Sequence, residues 1–168
     1  LVDLRGNVPT RVRRVEEGKY DAIILAAAGV KRLGLERHIT EYLALDRFLP
    51  AVAQGAVAVE IRGKDDATRA WVRRLDHPPT HVATAAERAL LATLEGGCQI
   101  PIGAWARMEK GRLLLDAMVA SIDGVTRLDT RGSTGDASKA EALGIRVADK
   151  LLRNGAREIL SEIRGGLA

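Results

Sequence analysis

The single cysteine of this chain, Cys98, follows two glycines within residues 94–103. Glycine allows a tight turn, so the thiol is predicted at a corner after a helical run and not inside a helix or strand. A disulfide within the chain is excluded, and no His or acidic partner flanks the thiol at metal-ligand spacing. The residues leave two alternatives, a buried cysteine, which is the commoner case, or a thiol presented for covalent chemistry.

Arginines at predicted strand–helix junctions form the second group of candidates. Arg5 precedes and Arg11 follows a predicted helix start, where the free N–H groups also favour anions. Arg32 lies near the end of the next strand–helix unit, at the rim where open α/β sheets bind ligands. A guanidinium group binds a carboxylate through two bonds and keeps its charge, which favours carboxylate binding. Solvated charge is the alternative, and Arg13 and Arg14 are assigned to it because they are predicted to face away from Arg11.

The charge balance points to an anionic partner. The net charge is +4, and residues 1–40 carry three of those excess positive charges. Nucleic acid is disfavoured as the partner, since the five aromatic residues show no pattern with the basic ones and no basic run reaches five residues. No apolar run of membrane-spanning length and no leader segment are recognised, and one unpaired cysteine fits a reducing compartment, so a cytoplasmic protein is predicted.

Strands and helices alternate in the first third of the predicted structure. Strands are expected at residues 2–4 and 20–26, the second of them buried on both faces, and a helix follows each. Asn7 can cap the first helix, which Gly18 ends, and Gly34 ends the second. This alternation is typical of an α/β sheet.

The middle of the chain contains a hinge and a linker. Residues 49–55 include Pro and Gly without periodicity, which indicates a crossing segment. A strand is predicted at 57–62 and a helix at 66–75. The prolines Pro78 and Pro79 are interpreted as part of a linker, after which Thr80 caps a long helix that runs to residue 94.

A three-stranded antiparallel meander with helices is predicted after the cysteine. The strand-like runs are 102–108, 113–122 and 126–130, and the turns between them contain Gly111 and Gly124. Helices are expected at about 136–154 and 156–163, joined at Gly155. With the long helix before the cysteine, the predicted second domain has three strands and three helices.

Several ordered motifs resemble those of the porphobilinogen deaminases, also called hydroxymethylbilane synthases. They include Arg5-Gly6-Asn7-Val8 with Thr10-Arg11, and a cysteine loop that contains Leu94-Glu95-Gly96-Gly97-Cys98. The other similar segments are 20–29, 32–34, 49–57 and 86–88, and the resemblance runs along essentially the whole chain. Members are roughly twice this length, within the range of two to three domains. The chain starts at Leu1 and therefore resembles the C-terminal half of such an enzyme.

The resemblance implies a fold that is α/β in its first part and α+β overall. Residues 1–50 would form the second half of a central α/β domain of periplasmic-binding-protein type. Residues 51–77 would be a hinge and a crossing segment that belongs to the absent N-terminal domain, so partial disorder or a docked second chain is expected there. Residues 78–168 would form the small C-terminal domain that carries the cofactor.

The family's activity is also implied by the resemblance. Members are monomeric cytoplasmic transferases of porphyrin and heme biosynthesis that condense four porphobilinogen molecules into hydroxymethylbilane and release ammonia at each step. A dipyrromethane cofactor, bound by a thioether, serves as the primer for the growing oligopyrrole. The implied cofactor-binding residues are Cys98 as the covalent anchor, Arg5, Arg11 and Arg32 for carboxylates, Gln54 and Gly55 at the border of the cleft, and Ala26 on its wall.

The catalytic aspartate is expected in the N-terminal half, which would be the partner of this chain. No catalytic residue and no metal ligand are therefore assigned here, and the chain alone is predicted to be inactive. The alternative is a non-catalytic carboxylate- or anion-binding α/β module without a covalent cofactor. Two details remain: Ala53 stands where the family usually has glycine, and Glu87 with Arg88 is assigned to helix-surface or interdomain ion pairs.

Overall fold

The computed structural model describes residues 2–95 and 100–166. Two compact units divide the chain, unit 1 at Leu1–Ala44 and unit 2 at Leu45–Ala168. The helices are α1 (Val8–Glu16), α2 (Ala27–Arg32), α3 (Asp66–Val72), α4 (Pro78–Thr93), α5 (Ala140–Leu151) and α6 (Arg157–Gly166), and the strands are β1 (Ile102–Glu109), β2 (Arg112–Ala120) and β3 (Arg127–Thr134).

Unit 1 is built from two short helices with clear local signals. The Asn7 side chain caps α1 by accepting the Thr10 N–H at 3.0 Å, and a proline in the first turn has no N–H to leave unpaired. Helix α2 ends before Gly34, whose φ of 67° is the left-handed conformation that glycine adopts at low cost. Both helices confirm the predictions made from these residues.

The strands predicted at residues 2–4, 20–26 and 57–62 are wrong for this structure. None of these segments pairs with another within the described residues. A strand needs neighbouring backbone to satisfy its N–H and C=O groups, and an apolar run by itself does not supply that neighbour. Ile24 is 65% exposed, so the run at 20–26 is not buried on both faces.

Unit 2 contains an antiparallel sheet of three strands in the order β1-β2-β3. Strand β1 pairs with β2 from Ile102↔Val119 to Glu109↔Arg112, which leaves a two-residue turn. That turn has φ values of 49° at Lys110 and 75° at Gly111, as hairpins of this length require. All three predicted strands are confirmed, and β3 extends further than predicted, to Thr134.

The core of unit 2 lies between one face of the sheet and helices α4, α5 and α6. Alternate residues of β2, including Leu113 and Leu115, are fully buried there together with Leu90 of α4 and Leu143 of α5. At Gly144 the helices α4 and α5 approach so closely that a Cβ atom would lie 2.9 Å from the Leu90 backbone nitrogen. The described residues thus form a mixed α and β protein, as predicted at that level.

In unit 2 a pair of prolines marks the start of helix α4, and a glycine marks the junction between α5 and α6. Pro78 and Pro79 lie in the first turn of α4 after the N-cap residue His77, so the helix begins before Thr80 and the prolines are not a linker. Their fixed φ suits a first turn, where an N–H has no partner in any case. Gly155, with φ 109°, joins α5 to α6 as predicted.

Within the part of the chain that is described, none of the helices combines the length and the apolar composition that crossing a membrane requires.

Candidate functional site

The segment before α1 in unit 1 is fastened to the helix by two arginines. The Arg11 Nε–H donates to the Gly6 carbonyl oxygen at 2.7 Å, and Arg14 Nη1 donates to the Arg5 carbonyl oxygen at 3.3 Å. The expectation that Arg14 faces away from Arg11 is wrong, because residues three apart share a helix face. Arg14 therefore positions the backbone of Arg5.

The guanidinium groups of the three predicted carboxylate-binding arginines have no acidic partner in the part of the chain that is described. Arg5, Arg11 and Arg32 make no ion pair there, whereas Arg13 lies 3.5 Å from the Glu17 carboxylate. Arg11 is half-buried, and its Nε–H bond to Gly6 leaves both terminal nitrogens to bind an external group. Such free forks suit carboxylates.

Helix α2 places the other two predicted residues of unit 1 at its opposite ends. Ala26 is the exposed N-cap residue and Arg32 is the last helical residue, a separation of about 9 Å along the axis. These two positions therefore do not form one contact cluster. Near the same end, the Lys31 ammonium group lies 5.1 Å from the centre of the Tyr42 ring.

The segment predicted as a hinge, residues 49–55, lies in unit 2 and contains a turn with Gln54 and Gly55. This segment is called the hinge segment and its turn the hinge turn below. The Gln54 N–H donates to the Ala51 carbonyl oxygen at 3.0 Å, and the Ala56 N–H donates to that of Ala53 at 3.2 Å. The N–H of Gln54 is therefore engaged within the turn. The N–H of Gly55 has no acceptor among residues 2–95 and 100–166, which leaves it available to a ligand.

Ala53 adopts a left-handed conformation, with φ 58°. For a residue with a Cβ atom this conformation costs roughly 1–2 kcal/mol. A glycine at this position, which the resemblance implies for the family, would adopt positive φ without that penalty.

Glu87 is the residue of this region that the sequence interpretation missed. It is 6% exposed, and its carboxylate accepts the Ala53 N–H at 2.6 Å and the Ala106 N–H at 2.7 Å. Burial raises the pKa of Glu87, and the two backbone hydrogen bonds offset this only in part. Its assignment to a surface or interdomain pair is wrong. A signal was available, because Glu87 follows Ala83 by four residues and precedes Leu90 by three, on the apolar face of α4.

A cleft of about 320 Å³ lies beside the hinge turn within unit 2. Gln54 and Gly55 line it together with Glu87, Trp105 and Arg107. The Arg107 guanidinium lies 3.8 Å from the centre of the Trp105 ring and 2.6 Å from an Asp116 carboxylate oxygen. The contacts of Arg107 with Trp105 and Asp116 therefore hold this wall of the cleft in place. The exposed residues Gln54 and Gly55 form the rim of the cleft.

Cys98, the predicted covalent anchor, lies outside the described residues. Among those that are described, no group of three or more His, Cys, Asp or Glu side chains is arranged to hold a metal ion. The candidate residues thus fall into an arginine set in unit 1 and a hinge set in unit 2, each positioned by contacts within its own unit.

The described residues form a mixed α and β protein with three arginines that have no acidic partner among them. Comparison with known proteins narrows the class of protein to which the chain belongs. Residues 1–70 match the family model "Porphobilinogen deaminase, dipyromethane cofactor binding domain" and residues 82–153 match "Porphobilinogen deaminase, C-terminal domain". The chain belongs to the porphobilinogen deaminase family.

Curated relatives support the same assignment. The chain is 48% identical to the porphobilinogen deaminase of Desulforudis audaxviator over 99% of its own length and 53% of that protein's. For the enzymes of Syntrophobacter fumaroxidans and Carboxydothermus hydrogenoformans, identity is 49% and 51%, with 97% of this chain and 52% of the relative covered in each case. The chain thus spans about half the length of the curated relatives it matches.

Proposed function

We propose that this chain is the C-terminal portion of a hydroxymethylbilane synthase, the enzyme that condenses four porphobilinogen molecules head to tail and releases ammonia at each step. Its role is to carry the primer and to bind the carboxylates of the growing oligopyrrole. Support comes from the two family models, which match most of the chain in the order cofactor-binding domain, then C-terminal domain. The proposed location is the cytoplasm.

The observation that carries this proposal is the free guanidinium fork of Arg11. Porphobilinogen bears one acetate and one propionate, so an oligopyrrole adds two negative charges per ring. The donors of Arg5 and Arg11, which have no ion pair to a described residue, and the N–H of Gly55 have the chemistry to bind such groups. A charge-assisted hydrogen bond of this kind contributes roughly 1.5–3 kcal/mol.

Cys98 is the proposed attachment point of the dipyrromethane cofactor. In forming the link, the sulfur bonds to the aminomethyl carbon of the pyrrole, the carbon–nitrogen bond breaks, and the amine leaves as ammonia with the thiol proton. When bound, the cofactor supplies the terminal pyrrole carbon to which the first porphobilinogen is joined. The cysteine acts once as a nucleophile and afterwards as a tether, while Arg5, Arg11 and Arg32 hold carboxylates.

The acid that assists loss of ammonia is proposed to lie in the remainder of the enzyme. Asp116 of this chain does not suit that role, since its hydrogen bonds from Arg131 and Arg107 outweigh burial and hold its pKa below the ordinary value. The N-terminal half is thus the required partner, and the chain alone is expected to show no turnover.

The domain organisation proposed for the complete enzyme assigns residues 1–50 to a central domain of periplasmic-binding-protein type and 78–168 to the cofactor-carrying domain. Residues 51–77 would cross to the N-terminal domain. Apolar side chains in that segment support the assignment, because Val57 is 93%, Trp71 68% and Leu75 73% exposed. Several large apolar side chains exposed within one segment of the chain are typical of a contact surface.

The test is denaturing mass spectrometry of the purified protein, together with Ehrlich's colour reaction for pyrroles. We expect a mass increment of two deaminated porphobilinogen units that maps to Cys98 and disappears in the Cys98→Ser variant. A matched control places a thiol elsewhere: Ser161→Cys, at an exposed position of helix α6, should not restore the adduct to Cys98→Ser. A bare, colourless mass for this chain alone would mean an isolated, unprimed fragment. The same result for this chain within the complete enzyme, with carboxylate binding retained, would favour the non-catalytic anion-binding module instead.

A further inference from the structure

Strand β1 is an edge strand, and its outward N–H groups need partners from outside the sheet. The order β1-β2-β3 leaves one side of β1 without a neighbouring strand. The Ala104 N–H on that side donates to the Pro50 carbonyl oxygen at 2.9 Å, and the Ala106 N–H donates to Glu87 Oε1 at 2.7 Å. The hinge segment and a side chain of α4 thus satisfy donors that would otherwise remain unpaired.

The second oxygen of Glu87 binds the hinge. Glu87 Oε2 accepts the N–H of Ala53 at 2.6 Å, at the residue whose φ is 58°. One buried carboxylate therefore connects the edge strand to a left-handed residue 34 positions earlier in the chain. Gln54 and Gly55 follow directly and form the rim of the cleft beside Glu87.

We propose that Glu87 is a positioning residue: its carboxylate fastens the left-handed turn at Ala53 to strand β1 and thereby sets the direction of Gln54 and Gly55 at the rim of the cleft. The inference rests on the proposed function in one respect, that this rim contacts the pyrrole substrate. The two hydrogen bonds of Glu87 to Ala53 and Ala106, called the clamp below, do not depend on that function and are tested separately.

A carboxylate is specifically required for this geometry. Both partners of Glu87 are N–H donors, so both of its oxygens must accept. A glutamine of the same shape offers one oxygen and one NH2 group, and the NH2 group would face a backbone donor. Glu87→Gln therefore releases one side of the clamp with almost no change in volume.

A double-mutant cycle on the unfolding equilibrium tests the clamp. If Glu87 holds Ala53 left-handed, Ala53→Gly should shift the unfolding constant about two- to fivefold toward the folded state with Glu87 present. Beside Glu87→Gln the same change should no longer stabilise and should slightly destabilise the protein, because the released turn holds no strain and only the larger entropy of glycine in the unfolded state remains. Additive effects would overturn the clamp. Glu162→Gln, an exposed carboxylate of α6, is the matched control and should leave the effect of Ala53→Gly unchanged.

Amide hydrogen exchange of the unmodified chain tests the same point without a variant. The Ala53 amide should exchange at least tenfold more slowly than the Gly55 amide, which has no acceptor among the described residues. Equal rates at the two amides would contradict the clamp, even if Glu87→Gln failed to fold.

The second part of the proposal, that the rim positioned by Glu87 contacts the substrate, is tested by kinetics of the complete enzyme that contains this chain. Glu87→Gln should raise the KM for porphobilinogen about tenfold and change kcat less, whereas Glu162→Gln should change neither. An unchanged KM with an intact coupling in the cycle would show a clamp that does not serve the site, which overturns the positioning role. Failure of the proposed function would be seen separately, as absence of the pyrrole adduct from this chain within the complete wild-type enzyme.

Discussion

The backbone N–H of Ala53 and the buried carboxylate of Glu87 are joined by a hydrogen bond of 2.6 Å across 34 positions of sequence. The bond links a strained residue of the hinge to the middle of helix α4. Because Ala53 has a Cβ atom at φ 58°, part of the strength of this contact is used to hold an unfavourable conformation.

Replacing Ala53 by glycine should stabilise the protein. Glycine adopts the left-handed conformation without steric cost, and this gain exceeds its larger entropy in the unfolded state, so we expect about 0.5–1 kcal/mol. Urea unfolding is the measurement. Ala51→Gly, at a neighbouring position without positive φ, is the control and should not stabilise. A loss of stability in Ala53→Gly would show that the turn tolerates alanine without strain.

Asp116 should make part of the stability depend on acid pH. Burial alone would raise its pKa, but hydrogen bonds and charge from Arg131 and Arg107 lower it below the ordinary value of 3.8. The folded state therefore holds the ionised form more strongly than the unfolded state. This contribution is complete above pH 3.8 and is lost as the pH falls through the lowered folded-state pKa.

Urea unfolding between pH 7 and pH 2 measures that contribution. Asp116→Asn should cost about 1 kcal/mol at neutral pH, and the difference from wild type should shrink as the pH falls below 3.8. Asp46→Asn, an exposed carboxyl with no ion pair to a described residue, is the control. A difference that stays constant down to pH 2 would contradict the ionic role of Asp116.

A methyl group at Gly144 should disrupt the contact between α4 and α5. Its Cβ atom would lie 2.9 Å from both the Leu90 backbone nitrogen and the Ala89 Cβ atom, so the two helices would have to separate. We expect a loss of about 3 kcal/mol or more. Gly165→Ala in α6, where a Cβ would meet nothing within 4 Å, should be neutral or slightly stabilising. Thermal unfolding distinguishes the two variants, and equal effects would refute the packing argument.

Arg11→Lys should weaken substrate binding although it keeps the positive charge. Lysine lacks the planar fork and the Nε–H that donates to Gly6. For the complete enzyme we expect the KM for porphobilinogen to rise about ten- to hundredfold. Arg13→Lys, whose guanidinium pairs with Glu17, is the matched control and should have little effect. Similar values for both variants would remove Arg11 from the proposed site.

Local signals predicted most helix and hairpin boundaries. The Asn7 cap, the Lys110–Gly111 turn and Gly155 each depend on residues within a few positions of one another, so the chain order alone reveals them. The strands at 2–4, 20–26 and 57–62 depended on partners distant in sequence. An apolar run cannot specify that a partner is present, and these predictions were wrong.

The sequence proposed the candidate site residues from motif and charge, but it did not reveal the tertiary contacts that position them. Arg5 and Arg11 were recognised from motif and charge, but their role as cofactor ligands stays a prediction. Glu87 was misassigned because a charged residue on a helix is usually exposed, and its burial follows from two distant backbone donors. Arg14 was misassigned for a simpler reason, since its three-residue spacing from Arg11 already placed both on one face.

The bond from Ala104 to Pro50 has a consequence for where this protein can be cut. A chain trimmed to residues 78–168 would keep the sheet and its helices but lose the carbonyl that accepts the Ala104 N–H. The bare side of β1 would then be open to strand addition by another copy. The start of the long helix α4 is therefore not a suitable place to begin a fragment. A fragment whose β1 edge stays covered in solution has to include the residues from Leu49 onward.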